Sequence, residues 1–185
     1  MARRSTPRIF CLEGDWGSNL KDKSSVRPLL DFLVQDARID FIYRDIGTIE
    51  ELQFYIRKWG QNQYKRYSIG YFAFHGEPGC IFVGRHKLTL SELADMLGRV
   101  CEGKTIYFGS CSTLDVRKRE MDAFRQATRA RCVCGYNEEV DWFISAAFEL
   151  LLFSALTEFS RMDAIERFLK QYRGLIKKLG FKMYK

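Results

Sequence analysis

Apolar residues along this chain fall into two alternating kinds of segment. Short continuous runs rich in β-branched and aromatic residues, bounded by glycine and small polar residues, read as strands buried on both faces. Five such runs stand out: Arg8 to Leu12, Ile39 to Tyr43, Ser68 to Phe74, Lys104 to Phe108, and Arg131 to Cys134. Between them, apolar residues recur three and four apart, the spacing of a helix with one buried face. Val26, Leu29, Leu30, Leu33 and Val34 form the first of these, with Ser24 or Ser25 as its cap and Pro28 in the first turn. Thr48 with Glu51, and Thr89 with Glu92, are capping-box patterns at the starts of two more. Met121, Phe124 and Thr128 mark a short helix, and Asp141 caps a mostly apolar one through Leu156. Ile165, Phe168, Leu169, Tyr172, Leu175, Ile176 and Leu179 trace an amphipathic helix, and its basic residues extend towards Lys185.

Strands alternating with helices imply right-handed crossovers and parallel pairing. The expected fold is α/β, a three-layer αβα sandwich around a mostly parallel sheet of about five strands. No repeat or linker divides the chain, so residues 1–185 are read as one domain.

Composition narrows the setting. Apolar content of 46% and aromatic content of 15% fit an ordinary folded globule. The most apolar stretch, Trp142 to Leu156, is broken by Ser145, Glu149 and Ser154, which suits a buried helix better than a membrane span. The basic start, Met1 to Arg8, runs into the first strand without an apolar signal core, so a cytoplasmic location is expected. Six cysteines in such a setting read as buried free thiols. No CxxC pair occurs and the two histidines fit no usual ligand spacing, so neither a metal nor another cofactor is expected. A net charge of +7 favours acidic partners such as nucleic acid, an anionic membrane or an acidic protein.

Two of the five runs end in reactive side chains. Ser68 to Phe74 delivers His75-Gly76-Glu77, and Lys104 to Phe108 delivers Gly109-Ser110-Cys111-Ser112-Thr113. Ligands of a parallel sheet bind beyond the carboxyl ends of its strands, so the fold can bring His75 and Cys111 together there. A thiol beside an imidazole is the minimum apparatus of nucleophilic catalysis. Taken alone, His75 is as readily a structural residue at a strand end; the matching position of Cys111 favours chemistry. His86 reads as an exposed turn residue, and Cys11, Cys101, Cys132 and Cys134 read as core thiols.

The blocks Phe72-Ala73-Phe74-His75-Gly76-Glu77 and Tyr107-Phe108-Gly109-Ser110-Cys111-Ser112-Thr113 resemble the catalytic blocks of caspase-like cysteine peptidases, in particular the CHAT domain group, relatives of caspases and separases. A third block, Ala130 to Asp141, resembles the strand and loop that follow the cysteine in those domains. The separation of His75 and Cys111 is shorter than the roughly 50 residues of true caspases, and Gly-Ser-Cys-Ser-Thr departs from their cysteine block. The resemblance implies a caspase-like fold and a cysteine endopeptidase acting on protein. Cys111 would be its nucleophile and His75 its acid–base, with the N–H groups of Gly76 and Cys111 as the oxyanion hole and no third triad member needed. It also implies regulation by a partner, in bacterial defence or cell death.

The separase likeness puts an acidic residue against a basic side chain before the scissile bond. Glu139 matches best, then Asp141, with Asp15 and Glu13 able to add to the same pocket. The bland alternative is that Asp141 caps the next helix and the glutamates are solvated. The basic C-terminal helix, with Lys170, Lys177 and Lys178, is the candidate docking element for a regulatory protein, against the usual reading of a solvated face. Two other classes stand beside the peptidase: a catalytically silent caspase-fold module that binds a protein, and a basic nucleic-acid-binding α/β protein motivated by charge alone.

Overall fold

In the computed structural model, which describes residues 7–19, 21–35 and 39–185, the apolar runs are strands and the periodic segments are helices. The chain runs through β1 (Ile9–Glu13), α1 (Arg27–Leu33), β2 (Phe41–Asp45), α2 (Ile49–Trp59) and β3 (Ile69–Ala73). A small hairpin sheet of β4 (His75–Glu77), β5 (Cys80–Val83) and β6 (His86–Thr89) follows, leading into α3 (Leu90–Leu97). Then come β7 (Thr105–Phe108), α4 (Lys118–Thr128), β8 (Cys132–Tyr136), α5 (Trp142–Glu158), α6 (Met162–Leu169), α7 (Arg173–Lys178) and β9 (Phe181–Tyr184).

The main sheet has the order β2-β1-β3-β7-β8-β9, and only β9 is antiparallel to its neighbour. Successive side chains on each strand point to opposite faces, so every central strand feeds two cores. Phe10, Leu12, Phe72 and Phe108 pack with α2, α3 and α4 on one face. Ile9, Cys11, Tyr71, Tyr107 and Cys134 pack with α1, α5 and α6 on the other. The α/β class and the mostly parallel sheet with helices on both faces are as the pattern implied.

The capping-box pairs Thr48 with Glu51 and Thr89 with Glu92 are both formed, and Asp141 accepts from Ile144 N at 2.9 Å. Such a cap is worth about 1 kcal/mol. Helix α1 differs from expectation. Val26 occupies its N-cap without a side-chain bond, and Ser25, one residue earlier, does the capping: its Oγ accepts from Arg27 N at 3.0 Å while its hydroxyl donates to Glu13.

Three further expectations need correction. The main sheet has six strands, not five, and the additional one is β9. The C-terminal helix does not run to Lys185; it is split by a 3-10 turn at Lys170–Tyr172 and ends before Gly180. Gly180 takes a left-handed φ of 56°, which a side chain resists, and reverses the chain so that Phe181 pairs with Tyr136. Phe181 then meets the rings of Phe148 and Tyr136, burial that a continued helix would forgo. The segment between the two reactive strand ends is also more than a turn and a helix, since β4, β5 and β6 form a sheet of their own there. No helix among the described residues is long and apolar enough to cross a membrane.

One contact locks α2 to the sheet. The indole of Trp59 is wholly buried, lies against Gly70 of β3, and donates from Nε1 to Tyr67 O at 2.7 Å. A Cβ on Gly70 would sit 2.4 Å from that ring. Gly70→Ala is therefore expected to destabilise the fold by about 1–3 kcal/mol through overpacking, read as a lower urea midpoint at unchanged slope.

Candidate active site

The parallel register of β3 and β7, with Phe72 opposite Phe108, makes the two strands end side by side. Beyond β3 the chain bends at Phe74 into β4, which begins with His75. Beyond β7 it enters a tight turn holding Cys111, in which Ser112 adopts a φ of 53°. Positive φ is uncommon for a residue with a side chain and is held here by surrounding bonds. Ser112 N donates to Glu138 O at 3.0 Å, and Leu114 N to Tyr136 O at 2.9 Å. The hairpin grips the same turn from the other side, through Gly79 N to Thr113 O (3.2 Å) and Thr113 Oγ1 to Cys80 O (3.1 Å).

Gly76 explains how close the two segments come. A Cβ there would lie 2.1 Å from Thr113 Oγ1 and 2.6 Å from Cys111 O. A glycine at this position allows the histidine strand to seat directly on the cysteine turn.

The imidazole of His75 is oriented by the backbone. Its Nε2 lies 2.8 Å from the carbonyl oxygen of Trp16. A carbonyl can only accept, so Nε2 carries the proton and Nδ1 is left as the basic nitrogen. The Trp16 indole meets the imidazole edge-on at 5.3 Å and Trp142 at 5.0 Å. Trp16 is itself fixed, because its Nε1 donates to Glu13 Oε1. Glu13 is 3% exposed and also accepts from Val26 N, Ser25 Oγ and the Tyr43 hydroxyl.

Cys111 and His75 line one cavity of about 380 Å³, walled by Trp16, Val26, Leu29, Phe74, Val140 and Trp142 among others. Of the six cysteines Cys111 alone is partly exposed; the remaining five are buried, as expected for core thiols. Gly109 N donates to Phe72 O and Ser112 N to Glu138 O, while the Cys111 N–H between them has no acceptor among the described residues.

The same cavity is lined by Glu149 of α5, which is 4% exposed. The Tyr71 hydroxyl donates to its Oε2, and the Tyr107 hydroxyl lies 2.8 Å from both its Oε1 and the Tyr136 hydroxyl. Burial pushes the Glu149 carboxyl up to about 7 against the pull of the two tyrosine bonds. The tyrosines in turn are pushed well above their usual value, by burial first and then by the Glu149 charge.

Of the acidic residues expected to build a specificity pocket, Glu139 and Asp141 do not line the cavity of Cys111 and His75, whereas Asp15 and Glu13 line a cleft that shares His75 with it. Glu139 is exposed and does not line the cavity, and Asp141 serves as the α5 cap. Asp15 is exposed and lines the adjoining cleft with His75, Asp22, Asp45 and Arg85; Glu13 lines it too, with its oxygens bonded to Trp16, Ser25, Val26 and Tyr43. His86 is exposed and opens β6. Among the described residues no group of three or more His, Cys, Asp or Glu could hold a metal ion. On the C-terminal helices Lys170, Lys177 and Lys178 are exposed, whereas Arg167 and Lys185 pair with Asp163 and Glu166. Two groups escaped the sequence reading. The Trp16 carbonyl is backbone and leaves no residue signal. Glu149 did leave one, as a charge in a helix otherwise apolar nearly all round, where it was read only as an interruption.

The family model described as Family of unknown function (DUF6642) matches residues 6–185. No curated protein matches the chain.

The buried carboxyl has a measurable consequence. Below about pH 4.5 it is protonated folded and unfolded alike; above that, the unfolded chain ionises first, so stability falls until the folded value near 7 is passed. At about 1.4 kcal/mol per pKa unit, the loss is on the order of 3 kcal/mol. Urea titrations at pH 4.5 and pH 8 are expected to show the wild-type chain losing this much relative to Glu149→Gln. A difference that stays constant with pH would mean the carboxyl ionises normally.

Proposed function

The chain belongs to that family of unknown function, and we propose that it is a cysteine endopeptidase with a caspase-like fold, of the kind its motifs resemble in the CHAT domain group. The observation that carries this reading is the pairing of Cys111 and His75 in one cavity, with the imidazole held by the Trp16 carbonyl so that Nδ1 is the free base. The mostly parallel sheet between helix layers suits the same reading. The only partly exposed thiol being the one opposite the histidine strand supports it further.

In this mechanism the Cys111 thiol gives its proton to His75 Nδ1, and the thiolate attacks the scissile carbonyl carbon. The carbonyl π electrons move onto oxygen, which the Cys111 N–H, and on the family's pattern the Gly76 N–H, stabilise. As the C–N bond breaks, the imidazolium returns its proton to the leaving amine. Water, deprotonated by the same nitrogen, then cleaves the thioester and restores the thiol. Glu13 and Trp16 take no part in bond changes; they keep the imidazole in the productive tautomer. On the resemblance, such an enzyme works in the cytoplasm of a bacterium, in defence or cell death, under control of a partner protein. The exposed lysines Lys170, Lys177 and Lys178 offer that partner a basic docking site for an acidic surface.

Limited iodoacetamide treatment of the folded chain, read by peptide mass mapping, is expected to modify Cys111 ahead of the five buried thiols. Cys111→Ala and His75→Ala are each expected to lower cleavage of a protein substrate by at least about a thousandfold, with the double variant no worse than either. Wild-type cleavage by Cys111→Ala would end the peptidase reading.

A further inference from the structure

The last strand of the main sheet, β2, has β1 as its only strand neighbour and serves two clefts. Alternation along it sends Tyr43 and Asp45 to the cleft that includes His75, and Ile42 and Arg44 to a second cleft beside α2. Phe10, in register with Ile42, forms the floor of the second cleft. Phe54, Tyr55 and Lys58 of α2 make one wall, and Tyr64 of the 3-10 turn at Asn62–Tyr64 makes another. The volume is about 370 Å³, inside the roughly 300–1,000 Å³ of small-ligand sites, and no residue of the Cys111 cavity takes part.

Two properties of this lining point to a ligand. It is aromatic where the core does not require it. Helix α2 buries Leu52, Ile56 and Trp59, and Phe54 lies off that stripe with 46% of its surface exposed. A single exposed ring is ordinary, but this one stands with Tyr55 and Tyr64 around one concavity. The lining is also cationic without a counter-charge. The Arg44 guanidinium lies 5.6 Å from the centre of the Tyr55 ring, and the Lys58 ammonium 5.3 Å from that of Phe54. Such contacts place a cation without neutralising it. Neither residue pairs with a described carboxylate, whereas Arg8, Arg27, Arg99 and Arg161 each have one. Arg44 gives an N–H to Tyr43 O and keeps the rest of its donors. The acids nearest in sequence are placed otherwise. Asp45 lines the other cleft, Glu50 is absent from this one, and Glu51 accepts from Gly47 N and Thr48 N at the start of α2.

We propose that this cleft binds a nucleoside phosphate, its base against the rings of Phe54 and Tyr64 and its phosphate between Arg44 and Lys58. Stacking on aromatic side chains tolerates every base, since each has a π face, so the cleft selects the class and not one member of it. Phosphate oxygens match the two cations in charge, and a guanidinium fork meets two such oxygens at once. Arg57, Lys65 and Arg66 are exposed on the flanking segments, and the net charge of +7 draws phosphates to the chain as a whole. The same unit occurs as a free nucleotide and within a single strand. This site is independent of the peptidase reading.

Calorimetry on the full chain at low salt compares AMP with adenosine, which lacks the phosphate, ribose 5-phosphate, which lacks the base, and phenyl phosphate, whose ring is smaller. AMP is expected to bind at least about tenfold tighter than each of the other three. Phe54→Ala, and Arg44→Gln combined with Lys58→Gln, are each expected to weaken AMP binding at least about fivefold at an unchanged urea midpoint, as these side chains lie outside the core. The wild-type ranking of the four probes stands whether or not those variants fold. AMP no tighter than adenosine or ribose 5-phosphate overturns the proposal, and phenyl phosphate as tight as AMP overturns it in favour of a phosphorylated tyrosine. A short oligodeoxyadenylate then reads the source of the unit. Binding tighter than AMP and displaced by AMP assigns the site to a single strand, and binding no tighter than AMP assigns it to a free nucleotide; both uphold the site. Oligonucleotide binding that the variants leave unchanged, with AMP unbound, reflects only the general charge of the chain and overturns it.

Discussion

Two carboxylates lie below the surface at the carboxyl edge of the sheet, and the surrounding chain is arranged to give them hydrogen-bond donors. A buried acid without donors would cost several kcal/mol, so each one fixes the segments that serve it. Glu13 gathers the indole of Trp16, the start of α1 and the hydroxyls of Ser25 and Tyr43. Glu149 gathers tyrosines from β3 and β7 beneath α5. The first set fixes the histidine wall of the cavity and the second its helical wall. Between them stands the turn of Cys111, placed by the register of β3 and β7.

The two acids are used differently. Glu13 is saturated with donors, including a backbone N–H and three side chains, which is how an ionised carboxylate is made comfortable under cover. Glu149 has fewer, all of them phenolic, and burial wins over them. The number and kind of donors distinguishes the two better than burial does, since both are almost wholly enclosed.

Much of this was legible in the chain. The strands β1, β3, β7 and β8, the capping boxes at Thr48 and Thr89, and the Asp141 cap follow from periodicity and local chemistry, because those signals act within a few residues. That His75 and Cys111 line one cavity was legible as two strand ends on one sheet edge. What escaped depended on distant partners. Ser25 reads as a helix cap, and its Oγ does accept from Arg27 N, but nothing local shows that its hydroxyl also serves Glu13, twelve residues earlier. The β9 strand looks like the tail of a helix until Gly180 turns it against Tyr136. Gly76 enters the sequence reading only for its N–H, and only the fold shows that the space a side chain would need there is taken by Thr113 and the Cys111 carbonyl. The acidic run at Glu138 to Asp141 stands out by its density, while Glu149, which lines the cavity, sits alone in an apolar helix.

The hairpin of β4, β5 and β6 begins at His75, touches the Cys111 turn through Gly79 and Thr113, and is tied to the start of α3 by Leu90 N donating to Gly79 O. Two hydrogen bonds of Gly79 thus join the Cys111 turn to the first turn of α3, and the segment that carries them starts at His75. The two strand ends that line the cavity are held in one piece of chain, and a substitution that displaces Gly79 disturbs both of them together with the start of α3.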